Sequence, residues 1–390
     1  MTVKGEGIQL ENGMSQLRSL VVFVAGDVPK SLFYKLPSGF KLLRVLDLEN
    51  VPIIVLPTEV GNFFNLRYLN LTRTQVKMLP RSIGKLVNLQ TLVLEEANIE
   101  ELPRQIVKLE NLQHLSGSVP CFEDRFLWRY DCIRVPPNVC KIKSLQVLSF
   151  VEGTGSLIKQ LKEMTQLKTL GLGVVEEAYE KDLCSAIGEM KDLQNLLLYA
   201  PFERLKLDAL LSAPPYLDKL FLNGEMDKVP HWLMQLKNLT QLTLQNSGLG
   251  EGLLSHIQEL PNLSYLTLGD SAYNQERLCF VEGFQKLKFL RIFNFPLLNE
   301  IVIEKNVMSG LEELQIDECK ALRGLPYGLD HLTHLKEVSF YDVSREIVKQ
   351  LYEQGNIDTD SSVAIQGINM VKSNDDEAKS KWVYKILSDL

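Results

Sequence analysis

The stretch Leu66-Arg67-Tyr68-Leu69-Asn70-Leu71, followed by Leu79-Pro80-Arg81-Ser82-Ile83-Gly84 and then by Leu89-Gln90-Thr91-Leu92-Val93-Leu94, decides the fold. Leucine holds positions one, four and six of both triplets, and the second triplet starts 23 residues after the first. In an extended segment positions four and six point to one side and position five to the other. Each triplet therefore predicts one short strand with one apolar face. Such a strand cannot bury that face alone, but equivalent strands stacked in parallel can.

Working outward, the same wording starts at Leu43, Leu167, Leu193, Leu217, Leu239 and Leu263. It continues with Ile, Val or Phe replacements from Leu287, Leu311 and Leu335, and weaker members start at Leu17, Leu112 and Leu145. These fourteen units begin 22 to 26 residues apart, except for one interval of 33. Of the 69 leucines, 66 lie before residue 351, so the repeat ends near there. The expected fold is an α/β repeat: a leucine-rich-repeat solenoid, or horseshoe, of about 14 repeats with a curved parallel β-sheet on its concave face. The return segments spell Leu56-Pro57 to Val60-Gly61, Leu79-Pro80 to Ile83-Gly84, Leu102-Pro103 to Ile106, Val229-Pro230 to Leu233 and Leu325-Pro326 to Leu329. Proline sets φ at each turn and the apolar residues face the core.

The expected organisation is an irregular lead-in over residues 1–16, read as a truncation point, then a solenoid over 17–343 with an insertion at about 117–140. A capping helix is expected over 344–357. Residues 358–390 read as a mobile acidic segment and a terminal amphipathic helix carrying Trp382, Val383, Ile386, Leu387 and Leu390 at helical spacing.

Composition excludes several function classes. Net charge −7 lacks the basic footprint of a nucleic-acid binder. The apolar run Leu20 to Ala25 is too short to span a bilayer, so no integral membrane segment is expected. The six cysteines include no CxxC pair, which suits a reducing, cytoplasmic setting. No catalytic constellation stands out. Gly153-Thr154-Gly155-Ser156-Leu157-Ile158-Lys159 lacks the Gly-Lys-Ser/Thr ending of a phosphate loop, no Gly-x-Ser-x-Gly elbow occurs, and neither the histidines nor Cys121, Cys132 and Cys140 have metal-ligand spacing. The reading is a non-enzyme without cofactor or metal. The sequons at Asn70, Asn238 and Asn262 are products of the repeat's own Asn-Leu-Thr/Ser wording and are not expected to carry glycans.

Specificity must come from the residues between the leucines. Positions three, five and seven face away from the core. In early units they are mostly polar, among them Asp47, Glu49, Tyr68, Asn70, Thr91 and Glu95. In later units Leu197, Tyr199, Phe221, Tyr265, Phe289, Arg291, Phe293 and Tyr341 form an aromatic track, expected to be exposed. It reads as a protein-binding surface or as one masked by the C-terminal tail. The insertion supplies Phe126, Trp128 and Arg129, residue types common in protein hot spots, which either contact a partner or plug a bend where the repeat register slips.

The wording Leu43-Arg44-Val45-Leu46-Asp47-Leu48, Leu66-Arg67-Tyr68-Leu69-Asn70-Leu71, Ile83-Gly84-Lys85-Leu86 and Pro230-His231-Trp232-Leu233 resembles the leucine-rich-repeat region of plant coiled-coil nucleotide-binding (NLR) disease-resistance proteins. The resemblance covers nearly the whole chain, including Val135-Pro136 to Ser144-Leu145-Gln146. It implies the recognition and regulatory module of an intracellular immune receptor that senses a pathogen effector, or a guarded host protein altered by one. It also implies a nucleotide-binding domain of the parent receptor as partner, with ATP or ADP bound only on that domain, which this chain lacks. Localisation would be cytoplasmic, with the inner face of the plasma membrane reached through partners. A stand-alone intracellular leucine-rich-repeat signalling scaffold is the alternative reading.

Overall fold

The computed structural model describes residues 16–22, 40–117, 132–250, 252–270, 272–273, 275–355, 367–372 and 382–387. The lead-in residues 1–15, the insertion residues Phe126, Trp128 and Arg129, and most of the acidic segment lie outside the described residues.

The chain divides into two units, Met1–Tyr199 and Ala200–Leu390. The first carries strands β1 (Ser19–Val21), β2 (Val45–Asp47), β3 (Tyr68–Asn70), β4 (Thr91–Val93), β5 (His114–Ser116), β6 (Val147–Glu152) and β7 (Thr169–Gly173), and the start of β8 (Asn195–Arg204). They pair in sequence order, all parallel. The register aligns the central leucines of successive triplets: Leu46 with Leu69, Leu69 with Leu92, Leu92 with Leu115. Leucines at positions one, four and six are buried, apart from half-buried Leu17 at the start. The solenoid is thus built from the leucine column that the spacing predicts.

Return segments differ from repeat to repeat. In the 23-residue units a five-residue 3-10 turn suffices, as at Thr58–Asn62, Arg81–Lys85 and Arg104–Lys108, each entered from an extended proline. The longer unit that starts at Leu167 has room for a helix, α2 (Glu180–Glu189), after the short α1 (Gly155–Gln160) of the unit before it. Leu183, Cys184, Ala186 and Ile187 supply the buried stripe of α2. Strand exits share one device. Position eight of many units is left-handed, as at Asn50, Arg73, Glu96, Asn246, Asp270, Asn294, Glu318 and Asp342, which swings the chain out of the sheet.

Beside the insertion, the pairing of β6 with β7 shifts register between Leu148 and Val151. Ile133 and Arg134, in the later part of the insertion, bridge to Val151 and Glu101. The repeat therefore slips where the extra residues enter.

The second unit carries β9 (Lys219–Glu225), β10 (Gln241–Gln245), β11 (Tyr265–Gly269), β12 (Arg277–Phe280), β13 (Phe289–Phe293), β14 (Glu300–Ile303), β15 (Glu313–Asp317) and β16 (Glu337–Tyr341). Six of these pair in parallel in the order β9-β10-β11-β13-β15-β16. On the return side, β12 and β14 form a separate parallel pair. Helix α3 (Gly252–Ile257) serves another return. With eight strands begun in the first unit and six in the second, each of the fourteen triplets carries one strand among the described residues.

The helix expected over 344–357 runs Arg345–Gly355 as α4. Ser344 caps it, accepting from the Ile347 amide and donating to the Leu322 carbonyl, while Ile347 and Leu351 are buried. The terminal amphipathic helix is not found. Residues Trp382–Leu387 are instead strand β18, antiparallel to β17 (Gly367–Lys372), and β17 pairs antiparallel with β16. The run Trp-Val-Tyr-Lys-Ile-Leu is rich in aromatic and β-branched residues, and an open sheet edge at β16 offers its backbone hydrogen bonds.

Candidate protein-binding face

On the face of the second unit opposite the leucine core, side chains fall into three rows, because the strands pair without slippage. Position three gives Lys219, Gln241, Tyr265, Phe289, Glu313 and Glu337. Position five gives Phe221, Thr243, Thr267, Arg291, Gln315 and Ser339; position seven gives Asn223, Gln245, Gly269, Phe293, Asp317 and Tyr341. Strands stand only about 4.8 Å apart, so neighbours in a row touch.

That crowding changes the aromatic track. Tyr265 is 48% exposed, and Phe289 and Tyr341 are half-buried. Phe221, Arg291 and Phe293 are not exposed: their residual accessibilities are 3%, 6% and 2%. Phe293 lies over the bare backbone of Gly269, where a Cβ would come within 2.0 Å of its ring. The Arg291 guanidinium sits 4.9 Å from the Phe293 ring centre, and its Nε donates to Asp317 Oδ2 at 2.7 Å. Gln315 Nε2 donates to the same carboxylate at 3.0 Å. Phe221 is flanked by Thr243 in its row and lies beside Asn223, both also buried. Tyr199, half-buried on β8, belongs to the first unit together with Leu197.

What remains accessible is a smaller patch. The rings of Tyr265 and Phe289 lie 6.0 Å apart and tilted by 35°. Beside them, positions five and seven form a polar floor of buried Arg291 and Asp317 and half-buried Gln315. Such an arrangement holds two aromatic rings in place at a solvent boundary, which suits protein contact. The sequence reading missed Asp317 as the partner of Arg291. The signal was present in the repeat: positions five and seven of consecutive units lie on adjacent strands.

An acidic rim borders this floor. Burial raises the Asp270 carboxyl above its ordinary value, opposed by the Asn294 amide, which donates to it at 2.7 Å, and by Arg291. Glu318 is also raised, first by burial and then by Asp342, Asp270 and Asp317.

In the first unit, the polar early positions are tied to one another. Asn70 Nδ2 donates to Asp47 Oδ1 at 3.0 Å, and Asn70 Oδ1 accepts from the Thr72 amide and hydroxyl at 2.9 and 2.6 Å. Ser116 Oγ donates to Glu95 at 3.0 Å, whose carboxyl is raised mainly by burial.

The residues weighed for chemistry are packed into the repeat. Thr154 caps α1, accepting from the Leu157 amide at 3.4 Å, and a Cβ on Gly155 would meet the Tyr179 ring at 2.1 Å, so this loop is filled by its own chain. Burial pushes the Cys319 thiol up to about 12, far from nucleophilic readiness. Among the described residues no cluster of three or more His, Cys, Asp or Glu is placed to hold a metal, and no helix is long and apolar enough to cross a membrane. The sequon asparagines are engaged: Asn238 Nδ2 donates to the Pro215 carbonyl and Asn262 Nδ2 to the Lys237 carbonyl, each at 2.8 Å, while Asn70 is buried.

A family model described as a leucine-rich repeat region matches residues 16–354. Disease resistance protein RPM1 of Arabidopsis thaliana is 39% identical over 234 residues, which are 59% of this chain and 25% of that protein. Disease resistance protein RPP8 of the same plant is 27% identical over 205 residues, 51% of this chain and 23% of that protein. The chain thus spans about a quarter of the length of these curated relatives. Among solved structures, a leucine-rich-repeat protein of Leptospira interrogans shares the fold with TM-score 0.53 and 22% identity, covering 87% of this chain and 88% of that one. The chain belongs to the leucine-rich repeat region family, in the form carried by plant disease-resistance proteins.

Proposed function

We propose that this repeat region is the recognition and regulatory module of an intracellular plant immune receptor, sensing a pathogen effector or an effector-modified host protein. The observation that carries the reading is the pairing of Tyr265, 48% exposed, with Phe289 beside a buried Arg291–Asp317 pair. Two rings held open to solvent at the centre of a polar surround have the make-up of a binding hot spot. Kinship with disease-resistance proteins supports the defence setting. The engaged sequon amides support a cytoplasmic location, because a glycan on Asn238 or Asn262 would remove a bond between repeats. In this reading the chain contributes binding and no catalysis. ATP or ADP belongs to the nucleotide-binding domain of the parent receptor, which the repeats restrain until the target arrives.

The test is affinity capture by the purified chain from infected and healthy plant tissue, comparing the wild type with a Tyr265→Ala/Phe289→Ala variant. The expected result is an infection-dependent protein that the wild type retains and the variant releases, with a loss of about 2 kcal/mol or more. Circular dichroism should be unchanged, since both rings lie outside the leucine column. Equal capture by both proteins would overturn the reading.

A further inference from the structure

In the first unit, three successive Leu-Pro turns line a groove of about 890 Å³ on the return side, away from the open face of the sheet. Pro57, Pro80 and Pro103 have nearly identical extended geometry, φ −67° with ψ 151°, 149° and 147°, so the turns repeat without distortion. Their carbonyls are already taken by the amides of Val60, Ile83 and Ile106. These three carbonyls are not free for a ligand, and the exposed side chains of the groove carry recognition. Two of these are large, apolar and unburied: Val55 is 59% exposed and Met78 is 76% exposed. Surface methionine is adaptable and suits a partner that must be gripped by shape.

Around this apolar lining stand Lys77, Arg81 and Arg104, all exposed and making no ion pair with any described residue. Arg81 and Arg104 occupy the same place in successive repeats. Arg134 closes the groove at one side, 4.0 Å from Glu100 and Glu101, which also line it, and from Glu152. A chain of net charge −7 thus places three cations that make no ion pair among the described residues around one exposed apolar recess. Lys77 and Arg81 belong to one repeat and Arg104 to the next, along a groove that turns of three repeats line. A recess does not fit the flat face of a bilayer.

We propose that this groove docks a partner polypeptide segment that combines carboxylates with aliphatic side chains. The aliphatic groups cover Val55 and Met78, and the carboxylates pair with Lys77, Arg81 and Arg104. The site lies on the return side of the first unit, whereas the Tyr265–Phe289 patch belongs to the second.

The probe is a short fluorescein-labelled peptide of glutamate and leucine, titrated with the full chain and followed by fluorescence polarisation. Binding is expected to weaken at least tenfold in an Arg81→Glu/Arg104→Glu variant, and as much in Met78→Asp. Replacing leucine by serine in the peptide should cost a similar factor, and raising salt should weaken binding, because these exposed charges are screened within about 10 Å at 0.1 M salt. All the substituted side chains are exposed, and circular dichroism checks that each variant folds. The proposal is overturned if the peptide does not bind, or if a lysine–leucine peptide binds equally well. It is also overturned if the variants bind like the wild type, or if vesicles containing phosphatidylserine occupy the same residues in preference to the acidic peptide.

Discussion

At the residue scale, the decisive pair is Arg291 with Asp317, 2.7 Å apart and both almost fully buried. Removing one partner of such a pair strands the other charge. Arg291→Ala should lower stability in urea unfolding by about 3–5 kcal/mol, while Arg291→Met with Asp317→Leu should recover most of that loss. Asp270 gives a second prediction. Because burial raises its carboxyl, the folded chain holds that proton more tightly than the unfolded chain. Its contribution to stability is therefore fully present below the ordinary carboxylate value and is lost as pH rises through the raised one. Asp270→Asn keeps an acceptor for the Asn294 amide and tolerates the left-handed backbone. It should melt above the wild type at about pH 7, and the two melting curves should converge as pH falls below about 4. The leucine addresses at this scale were legible in the spacing alone. The burial of Phe221, Arg291 and Phe293 was not, because it depends on what the next strand carries, above all on Gly269 leaving room for the Phe293 ring.

At the element scale, the Leu-Pro-x-x-Ile-Gly return is shaped by contact between repeats. A Cβ on Gly84 would stand 2.8 Å from both the carbonyl oxygen and the Cβ of Gln105, whereas no described residue lies within 4 Å of one on Gly250. Gly84→Ala should cost about 1–3 kcal/mol by overpacking, and Gly250→Ala should stay within about 0.5 kcal/mol, both read from denaturant midpoints. Strands and their order follow from the triplets, whereas the form of the return does not follow from length: the 22-residue units from Leu145 and Leu217 return through α1 and through a 3-10 turn at His231–Gln235. The end of the chain did not read correctly. Trp382, Val383, Ile386 and Leu387 satisfy a helical spacing and a short strand alike, and the open edge at β16 selects the strand. The β12–β14 pair escaped for a similar reason: Arg277–Phe280 and Glu300–Ile303 lie in return segments, where the leucine triplet gives no guidance.

At the scale of the whole molecule, repetition separates stability from recognition. Leucines at positions one, four and six hold each repeat to its neighbours, so substitutions elsewhere can vary without loss of fold. Function therefore rests on exposed residues that interrupt the pattern, and only a few of those expected from sequence are accessible. Tyr265 is the most open member of the aromatic track described in the second unit, with Phe289 beside it. The direct measurement is site-specific photo-crosslinking in infected tissue, with a photoreactive phenylalanine analogue at position 265 and, as reference, at Met234 on a return turn, itself 50% exposed. The account predicts an infection-dependent crosslinked partner from position 265 and none from position 234. A partner captured equally from both positions, or only from 234, would contradict it.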